Sequence, residues 1–108
     1  MNTLSYLIAF HLIVSYSDTM KLSSKNRQIL NDIFENPVRS NIEWRRIEFL
    51  LIALGGEISE GRGSRVRISL NGVKAVFHRP HPQKETDKGA LKSVRRFLLA
   101  ADITSERS

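Results

Sequence analysis

Hydrophobic positions change their spacing twice along the chain, and each change marks a new kind of element. After Ser23 or Ser24, either of which can cap a helix, Ile29, Leu30, Ile33 and Phe34 recur at helical spacing, and the run must end before Pro37. Ser40-Asn41-Ile42-Glu43 then has the pattern of a capping box, which predicts a second helix. Its apolar stripe is Ile47, Leu50, Leu51 and Leu54; Glu43, Arg45, Arg46 and Glu48 lie outside, and Gly55-Gly56 ends it. Trp44 shares the spacing of Ile47 and Leu51 and is expected in the core rather than stacked on a base.

From Glu57 the period shortens to two. Glu57 to Glu60 has room for a short strand, and Gly61-Arg62-Gly63 turns the chain into a longer one. There Ser64, Val66, Ile68 and Leu70 alternate with Arg65, Arg67 and Ser69, as in a sheet with one wet face. Asn71-Gly72 is the strongest hairpin signal in the chain, because a type I′ turn needs positive φ at both central positions. The return strand runs from Val73 to about Arg79, where Pro80 and Pro82 stop further pairing. Helical spacing resumes near Asp87 to Gly89, with Leu91, Val94, Leu98 and Ala101 on one side and Lys88, Lys92, Arg95 and Arg96 on the other.

The element order is helix, helix, strand, strand, strand, helix. It predicts an α+β fold, a three-stranded antiparallel sheet with helices packed on one face. The 108 residues, 41% of them hydrophobic, suit one soluble domain, expected over residues 20–108. The apolar run from Leu4 to Val14 is far shorter than the roughly 20 residues that cross a bilayer, so no membrane role is expected. Residues 1–19 are read as a non-native extension, with translation starting at Met20. The sequence has no cysteine, which removes disulfides and thiolate ligands and suits a cytoplasmic protein.

Charge sharpens this picture. Between Gly61 and Arg96 stand ten Lys or Arg and two acids, whereas the rest of the chain is slightly acidic. A concentrated positive field of this kind favours a polyanion, whose condensed counterions are released when its phosphates are neutralised. The cations expected at RNA are Arg62, Arg67, Lys74, Arg79, Lys84, Lys88, Lys92, Arg95 and Arg96, with Ser64 in the loop beside them.

The two-residue turn also fixes register. Leu70 must face Val73, so Arg65 stands across from His78, and Arg65, Arg67 and His78 share the face away from the helices. Val76, opposite Arg67, falls on that same wet face and is the position that fits the scheme least well. An imidazole beside guanidinium groups has a use on RNA: it can take the proton of a ribose 2′-hydroxyl while the arginines balance charge on the phosphate. The competing reading is a surface histidine at a strand end.

At these residues the sequence resembles the HicA family of bacterial type II toxins, from Met20 to about Ile103. The resemblance is carried by the helix ending at Gly55-Gly56, by Gly63-Ser64, by Phe77 with Arg79-Pro80-His81-Pro82, and by Lys88-Gly89-Ala90-Leu91-Lys92-Ser93. The run from Ser40 through Gly89 is similar to a longer HicA-like branch with an extra N-terminal helix. The resemblance implies a fold like that of double-stranded-RNA-binding domains, a metal-independent ribonuclease acting on messenger RNA without a cofactor, and a HicB-type antitoxin as partner. It also exposes a departure. The family's usual catalytic histidine follows the Gly-Ser pair, and Arg65 occupies that place. The candidate catalytic set is therefore His78, Arg65 and His81: the imidazole is moved to the neighbouring strand, and His81 matches a histidine of the family's loop after the third strand.

Three other readings compete with this one. An RNA-binding module without cleavage would use the same cations. DNA binding is disfavoured because the basic helix lacks a polar base-reading set. A metal site on His78 and His81 has too few ligands at sensible spacing.

Overall fold

The computed structural model describes residues 22–105. The expectations for residues 1–19 and for a start at Met20 lie outside the described residues.

Helix α1 spans Ser24–Ile33 and begins as the sequence predicts. The Ser23 hydroxyl accepts from the Asn26 amide at 3.1 Å, and Ile29, Leu30 and Ile33 are buried. The capping box expected at Ser40 does not form. Ile42–Glu43 is instead a short strand, β1, and the helix after it, α2, spans Trp44–Ala53 with no side-chain cap at Glu43. The physical reason lies elsewhere in the chain. Strand β1 pairs antiparallel with Glu85–Thr86, and the Lys84 carbonyl accepts the Trp44 amide at 3.0 Å, so Ile42 and Glu43 are held in a ladder instead of the first turn of a helix that Ser40 would cap.

The hairpin region follows the alternation closely. Strands β2 (Glu57–Glu60), β3 (Arg65–Leu70) and β4 (Val73–His78) form an antiparallel sheet in that order. Asn71 and Gly72 have φ of 51° and 82°, as a type I′ turn demands. Every pair in the predicted register is observed, from Leu70 opposite Val73 to Arg65 opposite His78. The strand Glu85–Thr86, β5, was not anticipated. Helix α3 spans Lys88–Ala100, and the Asp87 carboxylate at its start accepts from the Ala90 amide at 2.7 Å.

Helices α2 and α3 pack against one face of the sheet, and α1 packs on these two helices. Val66, Ile68, Leu70 and Phe77 meet Ile47, Leu50 and Leu51 of α2 and Leu91, Val94 and Leu98 of α3. Phe77 is the aromatic hinge of this core, 5.6 Å from the Trp44 ring and 5.7 Å, edge-on, from Phe97. Such contacts add about 0.5–1.5 kcal/mol each beyond burial. Trp44 is 4% exposed and so belongs to the core, as its spacing indicates. The result is an α+β fold like that of double-stranded-RNA-binding domains, in which one sheet face is covered and the other is left open.

Candidate active site

Alternation sorts the sheet residues chemically. Val66, Ile68 and Leu70 are buried; Arg65 and Arg67 are exposed and Ser69 is half-exposed on the other side. On β4, Lys74, Val76 and His78 share that open side. His78 is directly opposite Arg65, Val76 opposite Arg67, and Lys74 opposite Ser69. No hydrogen bond or ion pair among the described residues engages the side chains of Arg65, Lys74 or His78. Arg67 reaches only the Glu60 carbonyl, at 3.4 Å. Across the Arg67–Val76 and Ser69–Lys74 rows lies a groove of ≈650 Å³ whose lining includes Glu57, Ser59, Arg67, Ser69, Lys74 and Val76, while Arg65 and His78 stand outside that lining.

The glycine-rich loop holds the end of this ribbon. Gly63 has φ of 60°, a conformation that costs glycine nothing, and the Arg65 amide donates back to the Arg62 carbonyl at 3.1 Å. An added Cβ at Gly61 would lie 3.0 Å from that of Arg65, so the two segments are closely apposed. The Ser64 carbonyl accepts from the Arg79 amide at 2.8 Å. Pairing thus continues one residue beyond His78, and the imidazole sits on anchored backbone rather than on a free strand end.

Arg79 itself points the other way, toward the helices. Its Nε and Nη2 donate to Glu48 Oε2 and Oε1 at 2.8 and 3.0 Å, and Nη1 donates to Glu60 Oε2 at 2.6 Å. The Trp44 indole N–H also donates to Glu48 Oε2. Hydrogen bonds from Arg79 hold the Glu60 carboxyl below its ordinary range, and the two carboxylates push the guanidinium pKa up. Sequence reading put Arg79 at the RNA and Glu48 on the outside of α2. The network they form instead ties α2, β2 and the end of β4 together.

The other expected RNA contacts do not make one surface. Lys88, Lys92 and Arg96 are exposed on α3, which packs against the covered face of the sheet; the Arg96 guanidinium donates to Ser93 Oγ at 3.0 Å. Arg95 is taken up structurally: it donates to the Ile33 and Glu35 carbonyls at 3.0 and 2.8 Å and to Asn36 at 3.2 Å, with its guanidinium over Phe34. Those carbonyls lie at the C-terminal end of α1, where oxygens lack helical partners. Arg62 and Ser64 are exposed in the turn, and His81 and Lys84 are exposed in the loop after β4. The open face therefore gathers Arg65, Arg67, Lys74 and His78 only.

A family model described as "HicA toxin of bacterial toxin-antitoxin" matches residues 44–102. That is more than half the sequence and runs from the first residue of α2 to just beyond α3. The chain belongs to the HicA family. It is thus the toxin side of a toxin–antitoxin system, and an antitoxin partner is implied. No curated protein and no solved structure matches the chain. Helix α1 precedes the matched segment of this HicA toxin, yet Ile29, Leu30 and Ile33 are part of its core. Among the described residues no helix is long and apolar enough to cross a membrane.

Proposed function

We propose that this HicA toxin is a metal-independent ribonuclease that cuts messenger RNA, with His78 as general base and Arg65 as the cation beside the scissile phosphate. The observation that supports it most strongly is the direct pairing of Arg65 with His78 on the open side of the sheet. A neutral imidazole accepts the 2′-hydroxyl proton. The 2′-oxygen attacks phosphorus, and the bond from phosphorus to the 5′-oxygen of the next nucleotide breaks. The departing oxygen takes up a proton, giving a 2′,3′-cyclic phosphate and a 5′-hydroxyl. Arg65 and Arg67 offset the charge that grows on the phosphoryl oxygens. His81, exposed after β4, is the candidate for the proton donor or for a phosphate contact.

The antitoxin in this reading is a HicB-type protein that lays an acidic surface over the arginines. The setting is the cytoplasm, where messenger RNA is available. A second reading keeps the fold and the RNA but removes the cleavage; it is favoured by Arg65 standing where the family's usual histidine is found.

Induced expression of the full chain tests both. The wild type is expected to arrest growth and degrade RNA, while His78→Ala and Arg65→Ala stay folded and leave RNA intact. A folded wild type that shifts RNA in a gel yet leaves it whole supports the binding module.

A further inference from the structure

Val76 lies where packing gives an apolar side chain no role. It is 55% exposed on the open face of β4, flanked along its strand by Lys74 and His78, and opposite Arg67. A single exposed valine is ordinary; one standing in a groove among cations invites a ligand that is apolar and anionic at once. Three rows cross the sheet here. Arg65 and His78 make the first, Ser59, Arg67 and Val76 the second, and Glu57, Ser69 and Lys74 the third.

We propose that the second and third rows form a subsite for one unpaired RNA base next to the scissile phosphate, with the base face on Val76 and flanking phosphate on Arg67 and Lys74. This rests on RNA being the ligand, though not on which residue is the base. Successive rows are two residues apart, about 6.7 Å along the strand, of the order of one nucleotide step. A base has a flat apolar face that a splayed single strand can present, whereas in a duplex that face is stacked inside the helix and only phosphates and 2′-hydroxyls are offered. Glu57 argues the same way. Its carboxylate repels phosphate but accepts from an exocyclic amino group, which favours adenine, cytosine or guanine beside it. The acidic antitoxin surface proposed above would satisfy the arginines, but it accounts for neither Val76 nor Glu57, and these two residues are what an RNA base explains.

The test uses the full chain carrying both His78→Ala and His81→Ala, so that the RNA stays intact whichever imidazole is the base. Binding is read by fluorescence anisotropy with a labelled mixed-sequence single strand of about 12 nucleotides, a length within single-strand site sizes, and with the same strand in a blunt duplex. The expected result is a single strand bound roughly tenfold or more tighter than the duplex. Val76→Glu should weaken single-strand binding about tenfold, Val76→Ala should weaken it less, and Val76→Ile should stay within about twofold, a scale set by the loss of one base contact. If Val76→Glu unfolds, Val76→Ala decides. Equal binding of duplex and single strand, or an Ala variant indistinguishable from its parent, overturns the proposal. So does a Val76→Glu protein that loses a co-expressed antitoxin while binding RNA unchanged. A wild type that binds single strands through Val76 but cuts none sinks the ribonuclease reading and leaves the subsite standing.

Discussion

Arg79 grips both carboxylate oxygens of Glu48, with Nε 2.8 Å from Oε2 and Nη2 3.0 Å from Oε1, across 31 residues of sequence. The pair is partly shielded, with side chains 33% and 17% exposed, and it locks the residue that follows His78. A two-point, charge-assisted contact of this kind orients as well as stabilises.

Removing the carboxylate should therefore cost stability. Glu48→Ala is expected to lower the unfolding free energy by about 1–2 kcal/mol, the range for hydrogen bonds to charged groups after allowing for partial exposure. Chemical denaturation measures it. No change would mean that the network is an ornament of the surface.

Acid should weaken the same network from its other end. Arg79 holds the Glu60 carboxyl below its ordinary value of 4.5. A depressed carboxyl pKa means that the unfolded chain binds the proton first, so the contribution is complete above the ordinary value and fades as pH falls through the folded one. The stability difference between wild type and Glu60→Gln should be present at neutral pH and shrink below about pH 4.5. A difference that stayed constant to lower pH would contradict the assigned cause.

Register depends on the turn. Gly72 has φ of 82°, where any side chain meets the left-handed penalty, so Gly72→Val is expected to cost about 1–2 kcal/mol. Asn71 tolerates φ of 51° and adds a bond from Nδ2 to the Ala101 carbonyl at 2.8 Å, tying the hairpin to the end of α3. Thermal unfolding tests this, with Gly72→Val expected to melt clearly below wild type.

Salt should separate working cations from structural ones. If Arg67 and Lys74 contact single-strand phosphates, each Ala substitution should reduce the slope of log affinity against log salt by about 0.7. Arg95→Ala, which loses bonds to the end of α1, should leave that slope alone.

Most of the architecture was legible in the chain because its signals are local. Alternation from Ser64 to Leu70 and the dihedral demands of Asn71-Gly72 together set the register, and the register placed His78 beside Arg65. Ser23 and the apolar stripes placed the helices. What stayed hidden depends on distant partners. Strands of two residues, Ile42–Glu43 and Glu85–Thr86, carry no periodic signal, and their pairing displaced a capping box that was locally plausible. Arg79 and Arg95 read as RNA-contacting cations because Glu48, Glu60 and the end of α1 are brought to them only by folding. Val76 was legible as an anomaly, and its exposure in the folded chain turns that misfit into a clue.

The central claim is that His78 moves a proton during RNA cleavage at the Arg65 row. The most direct test is cleavage of a short labelled RNA by purified wild type and His78→Ala at matched RNA occupancy, with the new 3′ ends identified chemically. The expected result is a loss of roughly 10²–10⁴-fold in cleavage rate for His78→Ala, with binding retained and 2′,3′-cyclic phosphate ends from the wild type. Cleavage by His78→Ala at the wild-type rate would contradict the account.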